Sequence, residues 1–149
     1  MTETSIRIAT DPAERAQCMA IRVAVFVDEQ GVPADEELDQ HDAAATHLVA
    51  LNAGRPLGTL RWRIVPPATA KIERVAVLRE ARTLGLGRLL MREALRQVAE
   101  AGIRTAILNA QTTVTGFYER FGFVVDGEPF DEAGIEHVRM RLIPVEVER

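Results

Sequence analysis

Val75-Ala76-Val77-Leu78-Arg79-Glu80-Ala81-Arg82-Thr83-Leu84-Gly85-Leu86-Gly87-Arg88-Leu89-Leu90-Met91 reads as a strand, a short loop and an apolar helix with two glycines in its first turn. The backbone N–H groups at a helix start have no acceptor within the helix. The helix dipole adds partial positive charge there. Glycine lets the main chain come close to an anion, and Arg82 and Arg88 add charge. The turn therefore suits a phosphate or pyrophosphate. It is not a nucleotide P-loop, because no Lys-Ser or Lys-Thr follows the second glycine. Nor is it a dinucleotide fingerprint, which needs a third glycine and an acidic residue ending the next strand. Here that strand ends in Asn109-Ala110-Gln111. Gly85 and Gly87 would serve equally well to pack a helix tightly on a sheet, and the turn alone does not choose between the two.

Outward from this turn the pattern alternates strands and helices. Downstream, Leu86, Leu89, Leu90, Ala94, Leu95 and Val98 keep a helical period, with Gly102 as the stop. Arg104 to Asn109 follows as a strand and Thr113 to Arg120 as a short helix. Phe123–Val125 and Glu136–Ile143 are expected to be the last strands. Upstream, Lys71–Leu78, Leu57–Val65 and His47–Ala53 form three consecutive strands, the latter two joined at Asn52-Ala53-Gly54-Arg55-Pro56. Residues 28–46 are an irregular acidic connection with room for one helical turn at 34–39. Asp11-Pro12-Ala13-Glu14 is a capping box with proline at the first helical position. It predicts a helix to about Val27, with Met19, Val23 and Phe26 on one face. Ser5–Ala9 opens the chain as a short strand. This order predicts an α+β fold: a mixed, mostly antiparallel central sheet of about six to seven strands with helices on both faces.

The 149 residues suit one domain, 1–149. The net charge of -4 and pI near 5.4 give no sign of a nucleic-acid surface. No apolar run approaches the ~20 residues that cross a bilayer, and MTETSIRIAT lacks the features of a signal peptide. The single Cys18 cannot form an internal disulfide. A cytoplasmic protein with neither nucleic-acid nor membrane partners is expected. His41, His47 and His137 lack a metal-ligand spacing, so no metal is expected.

Three stretches carry a family resemblance. Arg82-x-x-Gly85-x-Gly87, preceded by Val75-x-Val77, is similar to the cofactor motif of the GNAT superfamily of acyl-CoA N-acyltransferases. Leu108-Asn109-Ala110-Gln111 followed by Phe117-Tyr118-Glu119-Arg120-Phe121-Gly122-Phe123 resembles that superfamily's next strand and helix. Arg22-x-x-Val25-Phe26-Val27-x-Glu29-Gln30-x-Val32-Pro33, with Leu60-Arg61-Trp62-Arg63 and Gly134-Ile135-x-His137, resembles its ElaA- and YjcF-like branch. The likeness covers residues 6–142 in the expected order.

The resemblance implies an N-acetyltransferase using acetyl-CoA as co-substrate. The acceptor is a small-molecule or peptide amine, attacked directly in a ternary complex. It implies that pantetheine lies in a gap beside Val75, Ala76 and Val77, bonded to their main chain. The pyrophosphate then rests on Arg82, Thr83, Leu84, Gly85, Leu86, Gly87 and Arg88, with Asn109, Phe117 and Tyr118 beside the cofactor. Tyr118, the only tyrosine, matches the residue near the cofactor sulfur, where a phenol can donate a proton or hydrogen bond to the leaving thiolate.

For the base, Glu73 shares a face with Val75 and Val77 by alternation, although Lys71 stands where some members carry the base. Glu29 is a second candidate; Glu36, His47 and His137 are further ones. Arg61 and Arg63 flank Trp62 on one face. With Arg22 and His137 they could bind an acceptor's carboxylate or phosphate, or instead pair with the acidic 28–42 segment. That segment could draw in a cationic acceptor, or simply be solvated. A CoA-binding sensor or interaction module without chemistry is the alternative function. Monomer and homodimer both remain open.

Overall fold

A computed structural model describes residues 3–146; the outermost residues of the expected domain, 1–2 and 147–149, lie outside it. The chain begins with β1 (Thr4–Ile8) and α1 (Pro12–Arg22), which leads into a π-helical segment, Val23–Glu29. A single turn, α2 (Ala34–Glu37), precedes three strands: β2 (Thr46–Asn52), β3 (Arg55–Val65) and β4 (Thr69–Val77). A 3-10 turn (Arg79–Leu84) leads into α3 (Leu86–Glu100), then β5 (Thr105–Gln111), a 3-10 turn (Thr112–Val114) and α4 (Thr115–Glu119). β6 (Val124–Val125), β7 (Phe130–Glu132) and β8 (Ile135–Leu142) close the chain.

The eight strands form one sheet in the order β1-β2-β3-β4-β5-β8-β6, with β7 also paired to β8. Every pairing is antiparallel except β4–β5, where α3 supplies the crossover a parallel pair requires. The mixed, mostly antiparallel sheet with helices on both faces is the architecture expected. The extra strand is β7. Its hairpin with β8 turns on Ala133 and Gly134, both at positive φ (53° and 78°), as a two-residue reversal demands.

Alternation along the strands sends side chains to two cores. Leu48, Ala50, Leu60, Trp62, Ala70 and Ile72 meet α3 through Leu86, Leu90, Met91, Ala94, Leu95 and Val98. Val49, Leu51 and Ala76 meet α1 and its extension on the other face, through Cys18, Ile21 and Val25. Leu90 is fully buried; truncating such a side chain costs about 2–5 kcal/mol.

The capping box forms as the sequence predicts: Glu14 N–H donates to Asp11 Oδ1 at 2.7 Å, and Glu14 Oε1 accepts from the Asp11 N–H. Two features of this helix differ from expectation. Its buried face is Cys18, Ile21 and Val25, with Met19, Val23 and Phe26 only half-buried. The α-helix also ends at Arg22, where the ladder widens: Gln30 N–H reaches back five residues to Val25 O. The wider turn carries Glu29 and Gln30 to the edge of the sheet's central gap, where Arg82 and Gln111 receive them.

Candidate active site

The parallel strands β4 and β5 pair only from Thr69–Thr105 to Ile72–Leu108. Beyond that point the rest of β4 and the end of β5 run on unpaired with each other. The change comes at Arg74, whose φ is +59°. Across β3 the register passes from Thr59–Ala76 to Arg61–Glu73, so Leu60 alone faces both Arg74 and Val75. This is a β-bulge, which bends and twists the strand that carries it. A left-handed non-glycine residue costs about 1–2 kcal/mol. Arg74 is held there by Glu37 (3.1 Å), Asp39 (3.0 Å) and the Glu37 carbonyl (3.3 Å).

The bulge corrects one expectation. Simple alternation puts Glu73 on the face of Val75 and Val77. The extra residue reverses the parity: Val75 and Val77 pack with Ala70 and Ile72 on the α3 side, whereas Glu73 lies opposite Arg61 on the α1 side. The gap between β4 and β5 therefore joins the two faces. Val75, Val77 and Tyr118 border it from one side, and Glu73, Asn109 and His137 from the other, within a cleft of ≈ 810 Å³.

At one end of the gap α3 begins. Gly85 sits at φ 72°, ψ 23° and no side chain caps the helix. The Leu86, Gly87 and Arg88 N–H groups fall within its first turn, where no intrahelical acceptor exists. The left-handed turn favours glycine at 85. Gly87 has a packing reason as well: a Cβ there would lie 3.3 Å from Phe117 Cζ. Close packing and an exposed run of N–H groups thus coexist in one turn. Thr83, Leu84 and Arg88 are exposed beside it. Arg82 is engaged. Its Nε donates to Val77 O at 3.1 Å, and its two terminal nitrogens donate to the Glu29 carboxylate at 2.7 and 2.6 Å. The Arg82 fork lowers Glu29 from its ordinary carboxylate value.

Tyr118 meets Phe117 edge-on at 5.0 Å and Phe123 at 6.4 Å. Burial pushes its phenol up to about 12. The phenol thus keeps its proton across the physiological range, and its ring borders the cleft. His137 stacks on Phe130 with ring centroids 6.1 Å apart. Its Nδ1 lies 2.7 Å from Ile135 O, and Nε2 lies 3.6 Å from Glu132.

The arginines proposed for the acceptor divide into two groups. Arg22 and Arg61 are each 1% exposed and border no part of the cleft. Arg22 donates to Glu37 (2.6 Å), Asp42 (2.6 Å) and the Glu37 carbonyl (2.7 Å). Arg61 donates to Asp39 (2.7 and 2.8 Å) and Asp42 (2.7 Å), with Glu73 at 3.1 Å. Both are structural: they hold Glu37, Asp39 and Asp42, so the pairing with the acidic segment that the sequence allowed is the one found, while Asp28, Asp35 and Glu36 of that segment stay exposed. Arg63 does border the cleft, with its Nε on Glu73 at 2.7 Å. Lys71, 3.6 Å from Glu73, borders it too.

The charges follow these contacts. Arg61 bonding holds Asp39 far below the usual range. Burial works against ionisation of Asp42 and Glu73, but their arginine partners outweigh it and both are lowered. Glu37, more deeply enclosed, is pushed up by burial despite Arg22 and Arg74. Sequence reading missed Arg74, and met Lys71 only as the residue that stands where some family members carry the base. Nothing local marks a bulge at Arg74, whose support comes from residues far away in the chain.

Residues 11–144 match the family model described as the acetyltransferase (GNAT) domain. The uncharacterized N-acetyltransferase YjcF of Bacillus subtilis is 36% identical over 134 residues, which are 89% of this chain and 95% of the relative. An acyl-CoA N-acyltransferase from Pseudomonas aeruginosa superposes with a TM-score of 0.83 at 30% identity, over 95% of this chain and 99% of its own. Escherichia coli ElaA has the same fold, with a TM-score of 0.82 at 24% identity and the same coverage. The chain belongs to the GNAT acetyltransferase family.

Proposed function

We propose that this protein is an N-acetyltransferase that moves an acetyl group from acetyl-CoA to an amine by direct attack within a ternary complex, and that residues 1–149 form one such domain. The observation that carries this reading is the parting of β4 from β5 beyond Ile72–Leu108, with the uncapped start of α3 at one end of the gap and Tyr118 on its wall. An extended thioester arm would pair with the main chain of Val75, Ala76 and Val77 along the edge that no longer pairs with β5. Its pyrophosphate would take the N–H groups from Leu86 to Arg88, with the Arg82 guanidinium beside them and still holding the Glu29 carboxylate. Asn109 would face the arm from β5, and Phe117 would support the turn beneath Gly87.

The gap passes through the sheet, so donor and acceptor would meet from opposite faces. The amine nitrogen attacks the thioester carbonyl carbon, a C–N bond forms and the C–S bond breaks. Tyr118 enters this step protonated, and its hydroxyl would donate to the departing sulfur. Glu73 and Glu29 are poorly suited as the base: arginines hold both carboxylates and lower their basicity. Arg63 and His137 border the acceptor side. Thiol release from acetyl-CoA in the presence of a panel of primary amines tests the reading. Amine-dependent release above the amine-free rate is expected, and none with any amine would overturn it.

One observation favours a second reading. With both carboxylates tied to arginines, a CoA-binding module without chemistry would look much the same. CoA binding without thiol release from acetyl-CoA would select it.

A further inference from the structure

His137 lies near the start of β8, opposite Gln111 of β5, and is 8% exposed. Its Nδ1 is 2.7 Å from Ile135 O. A carbonyl oxygen only accepts, so Nδ1 carries a hydrogen and donates it. In the neutral ring the lone pair is then on Nε2. The β7–β8 hairpin fixes the ring as well as the tautomer: Phe130 stacks on it, and the reversal at Ala133–Gly134 brings Glu132 to 3.6 Å from Nε2.

The other histidines and carboxylates near the gap do not offer this arrangement. His47 donates from Nε2 to Asp42 O at 2.7 Å and does not border the cleft. His41 borders it, but no contact fixes its ring there in one tautomer. Glu73 accepts from Arg61 and Arg63, and Glu29 from Arg82.

We propose that His137 is the catalytic base of the transfer, taking the proton of the acceptor's ammonium on Nε2. This rests on the acyl-transfer reading above. The ammonium gives one proton to Nε2, leaving a free amine and an imidazolium opposite the Glu132 carboxylate. The amine attacks the thioester, the C–S bond breaks, and the nitrogen's second proton replaces the one that Tyr118 passes to sulfur. The imidazolium returns its proton to water, so the balance is amide, thiol and one released proton. Of the groups facing the ring, Glu132 on β7 is charged, while Phe130 and Gln111 are not; Glu136 is turned away to Thr112.

His137→Asn tests this, because the asparagine amide can still donate to Ile135 O while Nε2 is removed. Amine-dependent thiol release is followed from acid to alkaline pH, with acetyl-CoA affinity measured alongside. The variant is expected to lose about a hundredfold in kcat/KM at neutral pH, with affinity unchanged. The deficit should close at alkaline pH, where the amine sheds its own proton. A purely structural role would lower the rate equally at every pH, and that outcome, or a wild-type rate, overturns the proposal. Long-range proton–nitrogen NMR of the wild-type ring gives a second arm that needs no variant: hydrogen on Nδ1 is expected, and hydrogen on Nε2 overturns the proposal, even where the variant fails to fold. Wild-type protein that releases no thiol with any amine would instead bring down the acyl-transfer reading, and this proposal with it.

Discussion

The two walls of the cleft are made of different materials. The α3-side wall is main chain: the unpaired edge of β4 from Val75 to Val77 and the N–H groups at the start of α3. The α1-side wall is a set of charged side chains. Arg63, Arg74, Glu37, Asp39 and Glu73 border the cleft, and Arg22, Arg61 and Asp42 interlock with them from behind, the whole drawn from four separate stretches of chain. A main-chain wall tolerates side-chain change as long as glycine stays where φ demands it. A buried ionic wall does not, since removing one partner leaves another charge enclosed without compensation.

The contrast can be broken most severely on the ionic side. Arg22→Ala removes the buried cation shared by Glu37 and Asp42, leaving them only Arg74 and Arg61, and should lower stability by about 3–5 kcal/mol in denaturant unfolding. A loss near that of an exposed pair would remove the network from the account. Tyr118→Phe, on the main-chain side, should leave stability and acetyl-CoA affinity intact but cut turnover about a hundredfold; unchanged turnover would remove its role at the sulfur.

Acid sharpens the same contrast. Asp39, Asp42 and Glu73 have lowered values in the folded chain. Their contribution is fully present above the ordinary carboxylate range near ~4 and is lost as pH falls through it toward the folded values. Glu37 is shifted the other way and opposes part of this loss. Unfolding midpoints should therefore drop on acidification below that range, and less steeply in Arg61→Met, which lacks the charge that lowers Asp39. The smallest effect is expected from Val75→Ile: if only its main chain meets the cofactor, CoA affinity should stay within about twofold. A tenfold loss would show that the side chain takes part.

The elements of this fold are largely legible in the sequence because their signals are local. Asp11 to Glu14 spells a cap, the period from Leu86 to Val98 spells a buried helix, and Ala53-Gly54 sits in a hairpin turn at positive φ. The turn at Gly85 is legible for the same reason. The parts that decide the acceptor side are not local. The Arg74 bulge is supported by Glu37 and Asp39, more than thirty positions upstream, and it alone overturns the alternation that places Glu73 with Val75. For the acidic segment the sequence offers both solvation and pairing with the arginines, and does not choose between them because Arg22 and Arg61 are remote in the chain. β7 escaped notice because Phe130, Asp131 and Glu132 are all exposed and show no alternation.

The central claim is that the gap between β4 and β5 receives CoA, with its pyrophosphate on the Arg82–Arg88 turn. Calorimetric titration of CoA into the wild type and into the Arg82→Ala, Gly85→Ala double variant tests it most directly. The double variant removes a charged fork and strains the left-handed turn, each worth on the order of 1–2 kcal/mol. Binding by the wild type, weakened at least tenfold in a variant that still folds, is the predicted result. Equal affinity in the two proteins, or no CoA binding by the wild type, would contradict it.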